Sequence, residues 1–188
     1  NEAYAIAENL INNTNQGIFF KTGALAVVAT IKMRRGDNDV EPILLDAKDK
    51  AFSTMELQRI IPVLAALLEY EWITGKALVD ERAIDYTISM LDQAGSADMD
   101  NKFAYWLLKV KKKYVPFHKS HHDYNSAAMW EELGCPYEQA MELFKGNEAD
   151  KRKALNMVQE LGATAVHEKL KMEMRASGIR SIPRGMRE

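Results

Sequence analysis

The densest group of potential ligands in the sequence is FHKSHHDY, which carries His118, His121, His122 and Asp123. Imidazole and carboxylate together suit zinc or nickel. Apart from His167, however, no second group of His or Cys stands elsewhere to complete a site. The expected role is a polar loop between helices, and no metal site is assigned. Cys135, in LGCPYEQA, would be activated as a thiolate at a helix N-terminus. A nucleophile also needs a base and an orienting partner, and spacing supplies neither, so a small buried residue at a tight turn is expected. KFAYWLLKVKKKY places Lys102, Trp106, Lys109 and Lys113 along one helical face. Aromatic and basic groups so arranged could hold an anionic ligand or a partner carboxylate through cation–π attraction. The competing reading buries Trp106 in the core with the lysine stems laid over it. If this chain has a contact site for a ligand or partner, Trp106, Lys109 and Lys113 are its candidates. At the C-terminus, Arg180, Arg184 and Arg187 surround a Pro-Gly break. As an autonomous DNA arm they are thin; as a solvated linker they make physical sense. No phosphate-binding, dinucleotide, zinc-protease or nucleophile-elbow motif occurs. No enzyme activity and no cofactor are expected.

The elements that must position these residues read as helices. Ala3, Ile6, Ala7, Leu10 and Ile11 follow the spacing of one buried helical face, as do Ile84, Thr87, Ile88 and Leu91. Val166, Leu170 and Met174 repeat it more sparsely. Ser53 and Glu56 read as a capping box opening a helix near Met55, and Asn147 with Asp150 as a weaker one. Gly36, Gly75, Gly134, Gly162 and Gly178 each follow an amphipathic run, where a left-handed residue ends a helix. Pro136 suits the first turn of the next. Trp72 and Trp130 are expected core anchors.

ALAVVATIKMRRGD (24–37) aligns with VLAALLEYEWITGK (63–76) at an offset of 39. Leu25 matches Leu64, and Gly36 matches Gly75. Each block is followed by a second amphipathic segment, VEPILLDAKDKAF and ALVDERAIDYTISML. A less regular third copy is NSAAMWEELG followed by CPYEQAMELF. Helix, Gly turn, helix at such a period marks a helical repeat array. The expected fold is all-α, a right-handed tetratricopeptide-like solenoid of antiparallel helix pairs over residues 1–178, with a basic linker or tail at 179–188. The competing reading is a non-repetitive helical bundle.

Composition sets outer bounds. The 188 residues are 47% hydrophobic and 28% charged, as in an ordinary globular domain. Net charge is −2, so no global field attracts nucleic acid or acidic lipid. One cysteine excludes an internal disulfide and suits a reducing cytoplasm. No apolar run reaches the roughly 18 residues of a membrane span, and NEAYAIAENLINN lacks the regions of a signal peptide.

From AAMWEELGCPYEQAMELFKG through LGATAVHEKLKMEMRASGIRSIPRGMR the chain resembles a helical region of large ATP-dependent LuxR-type transcriptional regulators. That region lies just before their DNA-binding domain. The shared pattern, W..LG.PYE.A..L..G and then LR..G.R.IPRG.R, falls here on Trp130 to Gly146 and on the segment ending at Arg187. ELQRIIPVLAALLEYEWITG and FAYWLLK also look like their repeat region. The resemblance implies a sensor-and-coupling segment that binds a protein, peptide or small-molecule effector. DNA would be reached only through a domain outside this sequence, with Arg180, Arg184 and Arg187 near it. A start on Asn reads as an excised segment. The alternative is a stand-alone adaptor binding a peptide or protein in a helical groove. Neither reading places the chain in a membrane, and uncapped ends would favour pairing as a homodimer.

Overall fold

The computed structural model describes residues 2–13, 17–95, 101–110 and 126–179. Among them are ten helices and no strand: α1 (Glu2–Asn12), α2 (Ile18–Arg35), α3 (Val40–Thr54), α4 (Leu57–Thr74), α5 (Glu81–Ala94), α6 (Asn101–Lys109), α7 (Ala127–Glu132), α8 (Pro136–Leu143), α9 (Glu148–Glu160) and α10 (Thr164–Ala176). The all-α expectation holds. The chain divides into two compact units, one of Asn1–Met33 with Asp37–His118, the other of Arg34–Gly36 with Lys119–Glu188.

In the first unit, α1 packs through Ala7 against Ala24 and Val28 of α2, and Tyr4, Leu10, Ile11 and Ile43 close around them. The expected face of α1 needs two corrections: Ala3 is exposed, and Ile6 is 55% exposed. The stripe runs through Tyr4, Ala7 and Ile11, at i, i+3 and i+7, and Ile6 lies more than a third of a turn away from it. Helix α4 is the spine of this unit. Ile60, Leu64, Leu67 and Leu68 are fully buried, and α3, α5 and α6 all pack against it. Lys32, near the end of α2, pairs with Asp39 at the start of α3. Glu41, in the first turn of α3, meets Tyr70 and Lys76 at the end of α4. Arg59, in the first turn of α4, donates to the Phe19 carbonyl in the first turn of α2. The Glu41 ties set α3 antiparallel to α4.

The offset read from the sequence reappears in the helix ends. Helices α2 and α4 start and stop 39 residues apart. Each is followed by a left-handed glycine, Gly36 at φ 93° and Gly75 at φ 78°. In α5, Ile84, Thr87, Ile88 and Leu91 are the buried residues, as their spacing requires. The helix begins at Glu81, after Asp80 accepts from the Ala83 amide, so residues 77–80 stand outside it.

The Ser53/Glu56 capping box is not formed. Ser53 already lies in the last turn of α3, where its hydroxyl donates to the Lys50 carbonyl. Met55 then ends α3 at φ 55°, and α4 opens at Leu57. Glu56 turns instead to Arg59 and Gln58. Asn147 and Asp150, by contrast, make the complete reciprocal box at the start of α9.

In the second unit each helix packs on its neighbours in the chain, α7 on α8, α8 on α9 and α9 on α10. Gly134, Gly162 and Gly178 have positive φ. The residue after each reaches back five positions: Cys135 to Trp130 at 2.9 Å, Ala163 to Val158 at 2.9 Å, and Ile179 to Met174 at 3.1 Å. This is the Schellman arrangement, which satisfies carbonyls that the helix end leaves open. Pro136 takes the first helical position of α8. Val166, Leu170 and Met174 are buried in α10. The third sequence copy is truncated, since α7 and α8 have 6 and 8 residues against 18 in α2.

Candidate functional site

Helices α4 and α6 bring together the aromatic and basic residues singled out in the sequence. Trp106 is 2% exposed. Its indole stands 5.4 Å from that of Trp72, tilted by 46°, and Tyr105 meets it edge-on at 5.0 Å. Phe103 and Leu107 are buried on the same side of α6. Such offset and edge-to-face pairs are preferred because the negative ring face meets a positive ring edge. Trp106 is therefore core packing, and Trp72 is the core anchor expected of it.

Lys109, one turn beyond Trp106, is partly buried. Its ammonium lies 5.1 Å from the Trp72 ring centroid. The lysine expected beside Trp106 lies over Trp72 of the neighbouring helix instead. Lys113 lies outside the described residues, as do Arg180, Arg184, Arg187 and the His118, His121, His122 and Asp123 group. Lys102 belongs to α6, but its side chain also lies outside them. Trp130 is half-buried rather than a deep anchor. Cys135 is likewise partly exposed, at the residue preceding α8, with its thiol 3.7 Å from the Leu133 carbonyl. The expected buried position is corrected: the Schellman turn holds the Cys135 backbone and leaves the side chain at the rim.

Sequence reasoning missed a second constellation. The Tyr70 hydroxyl donates to Glu41 at 2.7 Å, and the Lys76 ammonium approaches the other carboxylate oxygen at 2.5 Å. Burial pushes the Tyr70 phenol up to about 12, helped by the hydrogen bond to Glu41. Lys76, and then Tyr70, hold the Glu41 carboxyl below its usual range. The three residues are 29 and 35 positions apart, and no local pattern announces them. Glu69, buried in the same helix as Tyr70, was equally silent in the sequence.

His167 is buried at the start of α10 beside Glu168 and Lys171. Burial lowers its pKa, with Lys171 adding to the effect and Glu168 opposing it. Among the described residues no group of three or more His, Cys, Asp or Glu is placed to hold a metal ion. No described helix is long and apolar enough to cross a membrane. The α4–α6 cluster can hold a cation against an indole and can present Lys109 to a carboxylate. It places no nucleophile beside a base.

No protein-family model, curated protein or solved structure matches the chain.

Proposed function

We propose that this chain is the helical-repeat sensor and interaction segment of a bacterial LuxR-type transcriptional regulator. In this reading its helix pairs form a right-handed, tetratricopeptide-like solenoid. Binding of a protein, peptide or small-molecule effector is coupled to a separate DNA-binding domain. The observation that supports it best is the 39-residue correspondence of α2 with α4, each closed by a left-handed glycine and each followed by an antiparallel or amphipathic second helix. Repeats of this kind stack through equivalent faces and offer extended surfaces for a partner. The segment from Trp130 to Arg187, which resembles the part of those regulators preceding their DNA-binding domain, supplies the regulatory half. Lys109 and Lys113 are the contact residues of choice, with Trp106 acting from beneath as the packing that sets α6. Arg180, Arg184 and Arg187 would lie along the connector to DNA. Coupling requires that the effector prefer one of two states of the whole protein.

The test is the reading frame on either side of residues 1 and 188. Continuation into a helix-turn-helix pattern downstream, with a phosphate-binding loop upstream, is the expected result. A stop codon directly after Glu188 together with a start codon directly before Asn1 would overturn it and leave an adaptor.

A further inference from the structure

The second unit is built of two helix hairpins whose turns are made alike. Helices α8 and α9 pack on one another and are joined by residues 144–147 alone. A link that short makes packed neighbours antiparallel. The turn that opens α8 and the turn that closes α9 therefore lie at the same end of this unit. Each turn leaves a leucine in water: Leu133 is 62% exposed and Leu161 45%. Each occupies the last position before a left-handed glycine, Gly134 or Gly162. The Schellman geometry asks for the glycine and not for an apolar residue before it. The turns alone do not account for two exposed leucines at matching places.

Charge supplies an independent sign. Glu131 and Glu132 stand in the last turn of α7 and Glu160 ends α9, all three exposed. Neither helix has a basic residue in its last turn. A carboxylate there is repelled by the carbonyl end of the helix dipole, where a lysine would be favourable. Glu131, Glu132 and Glu160 have no ion pair or side-chain hydrogen bond among the described residues. The other described carboxylates of this unit are engaged. Glu142, Glu148 and Glu168 pair with Lys145, Arg152 and Lys171, and Asp150 caps α9. Glu138 and Glu173 have interactions of their own. Arg34, of the same unit, lies over the Tyr137 ring at 3.4 Å; neither it nor Arg35 pairs with any of the three.

We infer that this end of the second unit is a docking surface for a basic protein segment. Apolar residues of that segment seat on Leu133 and Leu161, while its lysines or arginines meet Glu131, Glu132 and Glu160. The sign of the charge chooses the class of partner. Nucleic acid and acidic lipid are both anionic, and this surface repels them. The apolar contacts hold the segment, and the carboxylates steer and orient it. The surface is separate from the Lys109 contact of the proposed function and does not rest on the regulator reading. A reading frame that ended at residue 188 would leave it standing.

The probe is a fluorescein-labelled amphipathic helix of leucine and lysine, about 14 residues or four turns long. A lysine peptide without leucine and a leucine–glutamate peptide of the same length are the controls. All are titrated into the full chain by fluorescence anisotropy at low salt, with sedimentation of the unlabelled chain followed alongside. The intact chain is expected to bind the leucine–lysine peptide saturably, more weakly as salt screens the charges, and to bind neither control. Glu160→Lys is the decisive variant. It should weaken binding at least about fivefold by replacing attraction with repulsion. It should also leave the thermal midpoint of the free chain unchanged or raised, because a lysine suits the end of α9. Glu81→Lys makes the same change of net charge at an exposed position of α5 and should leave binding unchanged. Leu133→Ser should weaken binding without altering helical content. Absence of saturable binding, equal binding by Glu160→Lys, or equal binding of the leucine-free peptide overturns the inference. So does equal weakening by Glu81→Lys, which would reduce the effect to net charge. Self-association that Leu133→Ser abolishes, with no peptide bound, makes a second copy the occupant and overturns it as well.

Discussion

Glu41 is held below the ordinary carboxylate range by Lys76 and Tyr70, and the sign of its effect on stability follows. A lowered folded-state pKa contributes stability that is present above the unfolded value, near 4.5, and is lost as pH falls through the folded value. Glu41→Gln is expected to flatten the acid limb of a urea-midpoint-against-pH curve; an unchanged limb would show that other carboxylates set it. Tyr70 works in the opposite direction. Its contribution is full below 10.0 and is lost as pH climbs toward about 12, so Tyr70→Phe should remove an alkaline step. His167 is lowered by burial. Its contribution is present above 6.5 and lost as pH falls through that value toward the folded one. His167→Phe should make the helices around α10 less sensitive to mild acid, as read by amide exchange across residues 164–176. Unchanged acid sensitivity in that variant would show that another group titrates there.

At the scale of elements, the helix boundaries rest on caps and glycines whose removal has a direction and a size. A Cβ at Gly146 would collide with the Asp150 carboxylate, which at the same time accepts from the Asn147 amide to complete the cap of α9. Gly146→Ala should therefore disturb the cap it does not belong to. Asn147→Ala should cost about 1 kcal/mol and Asn147→Asp much less, both read from chemical denaturation. A Gly146→Ala loss that persists in full when Asp150 is already alanine would contradict the shared mechanism.

These same boundaries show what a sequence can disclose. Gly134, Gly162 and Gly178 were legible because a left-handed residue at a helix end has almost no other candidate. The inner faces of α5 and α10 were legible because their polar and apolar residues alternate cleanly at helical spacing. Ser53 and Glu56 satisfied a capping pattern that the chain does not use, since the helix before them had not yet ended. The Tyr70–Glu41–Lys76 cluster was invisible, because only the antiparallel return of α3 against α4 brings it together. Lys109 was placed on the right helix, but its aromatic partner lies across an interface that α6 alone does not reveal.

At the scale of the molecule, each compact unit has its own fully buried residues, Leu64 and Trp106 among those of the first and Leu155 and Leu170 among those of the second. Truncating such a side chain removes its transfer free energy and leaves a cavity, together about 2–5 kcal/mol. Leu64→Ala should lower amide protection first across α3 to α6, and Leu170→Ala first across α7 to α10, as followed by hydrogen exchange with mass detection. Uniform loss of protection over all ten described helices from either change would mean that a single core serves the whole chain.

The three five-residue return bonds after Gly134, Gly162 and Gly178 also bear on how quickly the chain finds its fold. Each closes within a stretch too short to carry much loop entropy, and the helices they join are neighbours in the chain. Chains dominated by contacts between near neighbours fold orders of magnitude faster than those that must close distant pairings. The stretch from α7 to α10 should therefore be able to assemble as it leaves the ribosome, one hairpin at a time, without waiting for residues still to be made.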